Sequence, residues 1–122
     1  MKNIILIFSI YLAQFLNLSS NEPKLEEVIK GLNKPWSISF VTETDILITE
    51  KSGSLLKVNL INKKIKKFTH NLNILEDGQG GLLEVLFDNN EIFVSFSENR
   101  GGGKSSTSVA KASITNRDLN FK

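Results

Sequence analysis

Chemistry, if this sequence carries any, concentrates in the loop Asp77-Gly-Gln-Gly-Gly81. Three glycines in four positions imply unusual backbone angles or the close approach of a ligand. Gln79 is the long polar side chain there, offering two donor hydrogens and an acceptor oxygen. A tight turn with a merely solvated glutamine is the other reading of the same residues. Arg100-Gly-Gly-Gly-Lys-Ser-Ser106 superficially resembles a phosphate-binding loop. Glu98 stands where its first glycine should be, and the loop joins two strands rather than a strand and a helix, so a hairpin loop is expected. His70 is the sole histidine and has no nearby serine–aspartate constellation, which makes it a surface residue. Lys63, Lys64, Lys66 and Lys67 cluster on one strand and read as a solvated edge that discourages strand pairing. There is no cysteine, which excludes disulfides, thiolate metal sites and thiol catalysis. A single histidine excludes a histidine-rich metal cage.

The elements that position the glycine loop are strands. After Glu22-Pro23 the hydrophobic pattern has period two. Candidate strands are Leu25–Ile29, Trp36–Val41, Ile46–Thr49, Ser54–Leu60 and Lys64–Phe68, then Leu82–Phe87, Ile92–Ser97 and Ser108–Ile114. Turn residues separate them, including Thr42–Asp45, Ser52-Gly53 and Ile61–Lys63. Pro35 fixes the start of its strand, and Trp36 is expected to pack between blades. A further strand should be starting at Asp118–Lys122, where the chain stops.

The chain also repeats. A shift of 46 residues lays Phe40-Val41 on Leu86-Phe87 and Asp45–Thr49 on Glu91–Ser95. Four strands per 40–50 residues is the signature of propeller blades. The expected fold class is therefore all-β: a partial six-bladed β-propeller of about one and a half four-stranded blades. Leu82–Phe87 would be the innermost strand of the second blade, with the glycine loop at one mouth of the central channel. A small β-sandwich with an accidental repeat is the alternative. Fewer than two blades would leave sheet faces and edges uncovered, so marginal stability is expected.

Composition narrows the function classes. With 40% hydrophobic and 23% charged residues the chain is not expected to be disordered. A net charge of +2 with no long single-sign block argues against a nucleic-acid partner. Residues 1–20 stand apart: Lys2, then an apolar run from Ile4 to Leu18, then Ser19-Ser20. That is the pattern of a secretory signal peptide, too short for a comfortable membrane span. The expected organisation is a signal helix over residues 1–20 and a propeller portion over residues 21–122, in a periplasmic or secreted protein. Membrane contact would be transient, through the signal. An uncleaved N-terminal anchor is the alternative.

The ordered set Gly31-Leu32-x-x-Pro35-Trp36-Ser37-Ile38, Ile46-Leu-Ile-Thr-Glu-Lys51-x-Gly53, Asp77-Gly-Gln-Gly-Gly-Leu-Leu83, Ile92-Phe-Val-Ser-Phe-Ser97 and Ser108-Val-Ala110 resembles the start of the soluble quinoprotein glucose/sorbosone dehydrogenases. The resemblance covers roughly residues 26–122. It implies an exported propeller that binds pyrroloquinoline quinone (PQQ) and calcium at the channel mouth. It implies oxidation of an aldose at its anomeric carbon to a lactone, with electrons passed to an external acceptor. The quinone does the redox chemistry and the protein supplies orientation and a histidine base. Gln79 matches a glutamine of the family's active site, so Gln79 and Gly78 become candidate substrate- or cofactor-binding residues. The family's catalytic histidine, its quinone-gripping cations and its calcium ligands fall beyond Lys122, and His70 does not match that histidine. No catalytic residue is therefore expected in this stretch, which should be inactive alone.

Several positions depart from the family pattern. Lys51 stands where arginine is usual, and Glu84 where a smaller or shorter residue is common. The turn between Phe87 and Ile92 is short and lacks the familiar His-Pro-Asp. A non-enzymatic exported propeller that binds sugars or protein partners is the alternative function.

Overall fold

A computed structural model describes residues 22–114 and 118–122. The expected signal segment, residues 1–20, lies outside the described residues. The described chain is built entirely from strands and their connections: β1 (Pro35–Phe40), β2 (Asp45–Glu50), β3 (Leu55–Asn59), β4 (Ile65–His70), β5 (Leu82–Asp88), β6 (Glu91–Asn99), β7 (Ser105–Ser113) and β8 (Asp118–Leu119).

β1 to β4 form an antiparallel meander in chain order, and β5 to β7 form a second. This is one complete blade and most of another, as expected. At the outer edge of the second sheet Lys111 and Lys122 exchange both backbone hydrogen bonds at 2.9 Å. Just before that, β8 turns aside and pairs in parallel with β4, through Thr69–Asp118 and His70–Leu119. Asn71 extends the clasp, its side chain donating to the Phe121 carbonyl at 3.0 Å and accepting from the Phe121 N–H at 2.8 Å.

Alternation decides the two faces of the first sheet. Leu47, Leu55 and Phe68 point toward the second sheet and meet Leu82, Val85, Ile92, Val94 and Phe96 in a shared core. Ile46, Ile48, Leu56 and Val58 point the other way, beneath Ile29, Leu32 and Leu60. A strand covered on both faces buries successive residues, and in β2 every residue from Ile46 to Glu50 is buried.

The innermost strands β1 and β5 are joined by hydroxyls. Phe87 N–H donates to Ser39 Oγ at 2.9 Å, and Ser37 Oγ donates to the Glu84 carboxylate at 2.8 Å. Thr49, fully buried, accepts from Ser37 N–H at 3.1 Å and donates to the Leu83 carbonyl at 2.5 Å. Backbone groups that strand pairing leaves over are thus paired across the sheet-to-sheet boundary, as burial demands. Glu84, unusual for its position, is accounted for by its bond to Ser37.

The 46-residue shift holds through the second strand of each sheet. Beyond it the repeat slips, because β6 and β7 run nine residues each and the hairpin is longer. Leu55 pairs with Thr49, while Val109 pairs with Ser95, an offset of 54. The short turn after Phe87 is a two-residue hairpin: Asn89 and Asn90 have φ of 46° and 66°, the left-handed pair that matches strand twist.

One expectation needs correction. Leu25–Ile29 pairs with nothing and is not a strand. It belongs to the segment that leads into β1, whose Ile29 packs on the outer face of the first sheet. Trp36, expected between blades, lies on the face of the first sheet that points away from the second. A register shift between Pro35 and Ser37 and the alternation that sends Ser37 and Ser39 inward leave Trp36 on the outer face, 42% exposed.

Candidate functional site

One end of the sheet pair gathers the segment entering β1, the β2–β3 turn, the glycine loop and the β6–β7 hairpin. The glycine loop is clamped there from both sides. Lys51 receives the Leu82 N–H on its carbonyl at 3.0 Å, and its ammonium donates to the Gly78 carbonyl. On the other side Ser97 accepts from Leu75 N–H at 2.9 Å and donates from its own N–H to the Gly81 carbonyl at 2.8 Å.

These clamps explain the glycines. At Gly81, with φ of 152°, a Cβ would lie 2.3 Å from the Lys51 carbonyl oxygen. At Gly80 it would lie 2.7 Å from Ser97 Oγ. The close approach foreseen from the sequence is thus an approach of the protein's own backbone. At Gly78 a Cβ would meet nothing within 4 Å, so the loop is open on that side. Gln79 follows Gly78 at the tip and is exposed.

Two carboxylates brace the site. Glu50, 8% exposed, accepts from Asn33 N–H at 2.7 Å and so fixes the chain entering β1. Glu76 pairs with Lys34 at 2.7 Å, and that hydrogen bond, aided by the Lys34 and Lys51 charges, holds its carboxyl below the usual range. Lys51, Glu50 and Ser97 went unseen as site residues from sequence. The available signal was the run Thr49-Glu-Lys-x-Gly53, whose local spacing gives no hint that it grips a loop some 27 residues on.

The remaining candidates fall into structural places. Arg100–Lys104 is the turn of the β6–β7 hairpin, with Arg100 bound to Glu98 at 2.8 Å and to Ser106 Oγ at 2.9 Å. His70 is half-buried rather than on the surface. Its Nε2 meets the Gly53 carbonyl at 2.7 Å and its ring stands edge-on to Phe121. The lysine cluster lies exposed on β4 and the turn before it, with Lys66 over the Phe68 ring. Among the described residues there is no group of three or more His, Asp or Glu side chains that could hold a metal ion. A cleft of about 580 Å³ lined by Val41, Lys57, Lys66, Phe68, Phe87, Asn90 and Ile114 lies toward the opposite end from Gln79. Its Lys57 is already paired with Asp45 at 2.9 Å.

Sheets that pack face to face, with their first strands adjacent and glycine-rich loops at one end, define a partial β-propeller. The sequence profile of the Glucose / Sorbosone dehydrogenase family matches residues 32–122, and the chain belongs to that family of oxidoreductases. Among solved structures it is similar to a glucose dehydrogenase, with 32% identity and a TM-score of 0.75 over 82% of this chain and 32% of that one. It is also similar to the soluble aldose sugar dehydrogenase of Escherichia coli, with 25% identity and a TM-score of 0.71 over 80% of this chain and 30% of that one. The PQQ-bound aldose sugar dehydrogenase of Streptomyces coelicolor shares the fold at 15% identity, with a TM-score of 0.68 over 81% of this chain and 32% of that one. The chain thus spans about a third of the length of these relatives. Among curated proteins none matches it.

Proposed function

We propose that this chain contributes the first blades of an exported, PQQ-dependent dehydrogenase that oxidises aldose sugars at the anomeric carbon to lactones and delivers electrons to an external acceptor. Residues 1–20 serve as its signal peptide, and the mature protein is periplasmic or secreted. The observation that carries the reading is the glycine loop. Lys51 and Ser97 hold its backbone from two sides, and it presents at its open tip an exposed Gln79 beside Gly78. Membership of the family and the loop's place at the end of the innermost strand support the same assignment.

The residues present fit a quinone or sugar ligand at one point only. Gln79 can donate from its amide nitrogen and accept on its oxygen, which suits the carbonyl and hydroxyl oxygens of either molecule. Gly78 leaves room for a ligand to come close to the backbone. When bound, the quinone would supply the hydride acceptor. Lys51 fixes the height and direction of the loop, and its ammonium is spent on the Gly78 carbonyl. His70 is held between Gly53 and Phe121, so this stretch contributes no histidine base. No step is assigned to calcium.

The test is to titrate the gene's full product with PQQ, with and without calcium, and to follow reduction of a dye by a panel of aldoses. Sugar-dependent dye reduction is expected. Gln79→Ala should lower kcat/KM about 10- to 100-fold, the cost of one ligand hydrogen bond of about 1.4–2.7 kcal/mol. A folded product that binds the quinone but reduces no dye with any aldose would refute the dehydrogenase reading. A folded product that neither binds the quinone nor reduces dye would favour the non-enzymatic binding propeller.

A further inference from the structure

Asp77-Gly78 begins the glycine loop, and of the four aspartates only Asp77 is followed by glycine. Asp45, Asp88 and Asp118 precede Ile46, Asn89 and Leu119. An aspartate side chain can be attacked by the backbone nitrogen of the next residue, closing a small ring. Three things favour the attack: a free carboxyl, a free N–H, and no side chain in the way.

All three meet at Asp77. Its carboxylate is exposed and has no hydrogen bond or ion pair among the described residues. The Gly78 N–H likewise has no acceptor among them. Gly78 brings no Cβ, and the place a Cβ would take is empty to 4 Å. Lys51 grips Gly78 by its carbonyl and leaves its nitrogen unbound. The loop adds a fourth feature. Gly80 N–H donates to the Asp77 carbonyl at 2.6 Å. That carbonyl shares a peptide group with the Gly78 nitrogen, and a hydrogen bond that polarises it makes the N–H easier to deprotonate. Elsewhere these conditions fail. The Asp45 carboxylate is held by Lys57 at 2.9 Å and Asn59 at 2.7 Å, beside a β-branched neighbour. Asp88 accepts from the Asn89 side chain at 3.0 Å.

We propose that Asp77-Gly78 is a site of spontaneous isomerisation, which ages the loop that presents Gln79. The Gly78 nitrogen bonds to Asp77 Cγ, and a carboxyl oxygen leaves as water together with the amide proton. Water then opens the ring. Addition at Cγ restores aspartate. Addition at the main-chain carbonyl gives isoaspartate, whose backbone runs through Cβ and whose free carboxylate sits on Cα. One water is lost and one is regained, so neither oxidant nor reductant is needed. The product lengthens the main chain by one methylene, ~1.5 Å, directly before Gly78-Gln79. The carbonyl that accepted from Gly80 N–H leaves the main chain, so the turn beneath Gln79 is broken. The isomerisation does not depend on the protein's reaction. Its effect on activity rests on the reading of Gln79 as a ligand contact.

The gene's full product is aged for weeks in warm buffer, then probed with isoaspartyl methyltransferase and labelled S-adenosylmethionine. Trypsin releases Phe68–Arg100, which carries both Asp77 and the internal control Asp88. Label is expected at Asp77 and not at Asp88 or Asp45. Asp77→Glu keeps the charge but disfavours the ring, so it should take up none there. An aged product without label at Asp77, equal label at Asp88, or label at position 77 in Asp77→Glu would overturn the proposal. Dye reduction should fall in step with the isoaspartate fraction in wild type and stay level in Asp77→Glu. A fully converted product with undiminished activity would overturn the displacement of Gln79. A fresh product without activity would count against the dehydrogenase reading, and the labelling would still decide the isomerisation.

Discussion

Thr49→Val removes a hydroxyl without changing the side chain's shape. Thr49 has no exposed surface, and its oxygen accepts from Ser37 N–H and donates to the Leu83 carbonyl. The substitution strands both backbone groups at the boundary between the sheets. An unsatisfied buried group costs about 1–3 kcal/mol. Ser37 and Leu83 are only half-buried, so water offsets part of this and the sum should be about 2 kcal/mol. For a unit of this size about 2 kcal/mol corresponds to a fall in Tm of roughly 10 °C. Thermal or urea unfolding followed through Trp36 measures it directly. Thr49→Ser keeps the hydroxyl and loses a methyl, so it should cost about 1 kcal/mol. A Thr49→Val chain as stable as wild type, or less disturbed than Thr49→Ser, would refute the idea that hydroxyls latch the sheets together.

Gly81→Ala places a Cβ 2.3 Å from the Lys51 carbonyl oxygen at a φ of 152°, so about 3 kcal/mol or more should be lost, and soluble yield and circular dichroism should fall together. The Asp45 carboxyl is held below its ordinary range, first by the hydrogen bond from Lys57, then by that from Asn59. A depressed folded pKa means the pair's contribution is whole at neutral pH and fades as acid passes below about 3.9, the unfolded value. The stability gap between wild type and Asp45→Asn should therefore shrink between pH 5 and pH 2, and a gap that widens with acid would contradict this.

Most of the architecture was legible because alternation and turn chemistry are local. Ser54–Leu60 shows its two faces in the residues themselves. The repeat was legible only through β2 and β6, because the longer β6–β7 hairpin moves the offset from 46 to 54. Leu25–Ile29 misled because it has a strand's composition but lies on a sheet face without a partner strand. Which face Trp36 takes was not legible, because a register shift beside Pro35 decides it. At the site, the glycines announced a crowded backbone, but what crowds it, Lys51 and Ser97, comes from strands distant in sequence. Gln79 was picked out from its loop in the sequence, and it is exposed at the loop's tip.

The clasp between β4 and β8 has a consequence for the order of folding. The first sheet closes through neighbouring hairpins and can form early, since local contacts need little loop closure. Asn71 and Phe121 are 50 residues apart, so their mutual hydrogen bonds must wait until Phe121 has left the ribosome. Until then His70 lacks the ring of Phe121 and the edge of β4 lies open. The outer edge of the first sheet is thus held short of its final state until Phe121 arrives, and amide exchange at Thr69–Asn71 should gain protection later than exchange in β2.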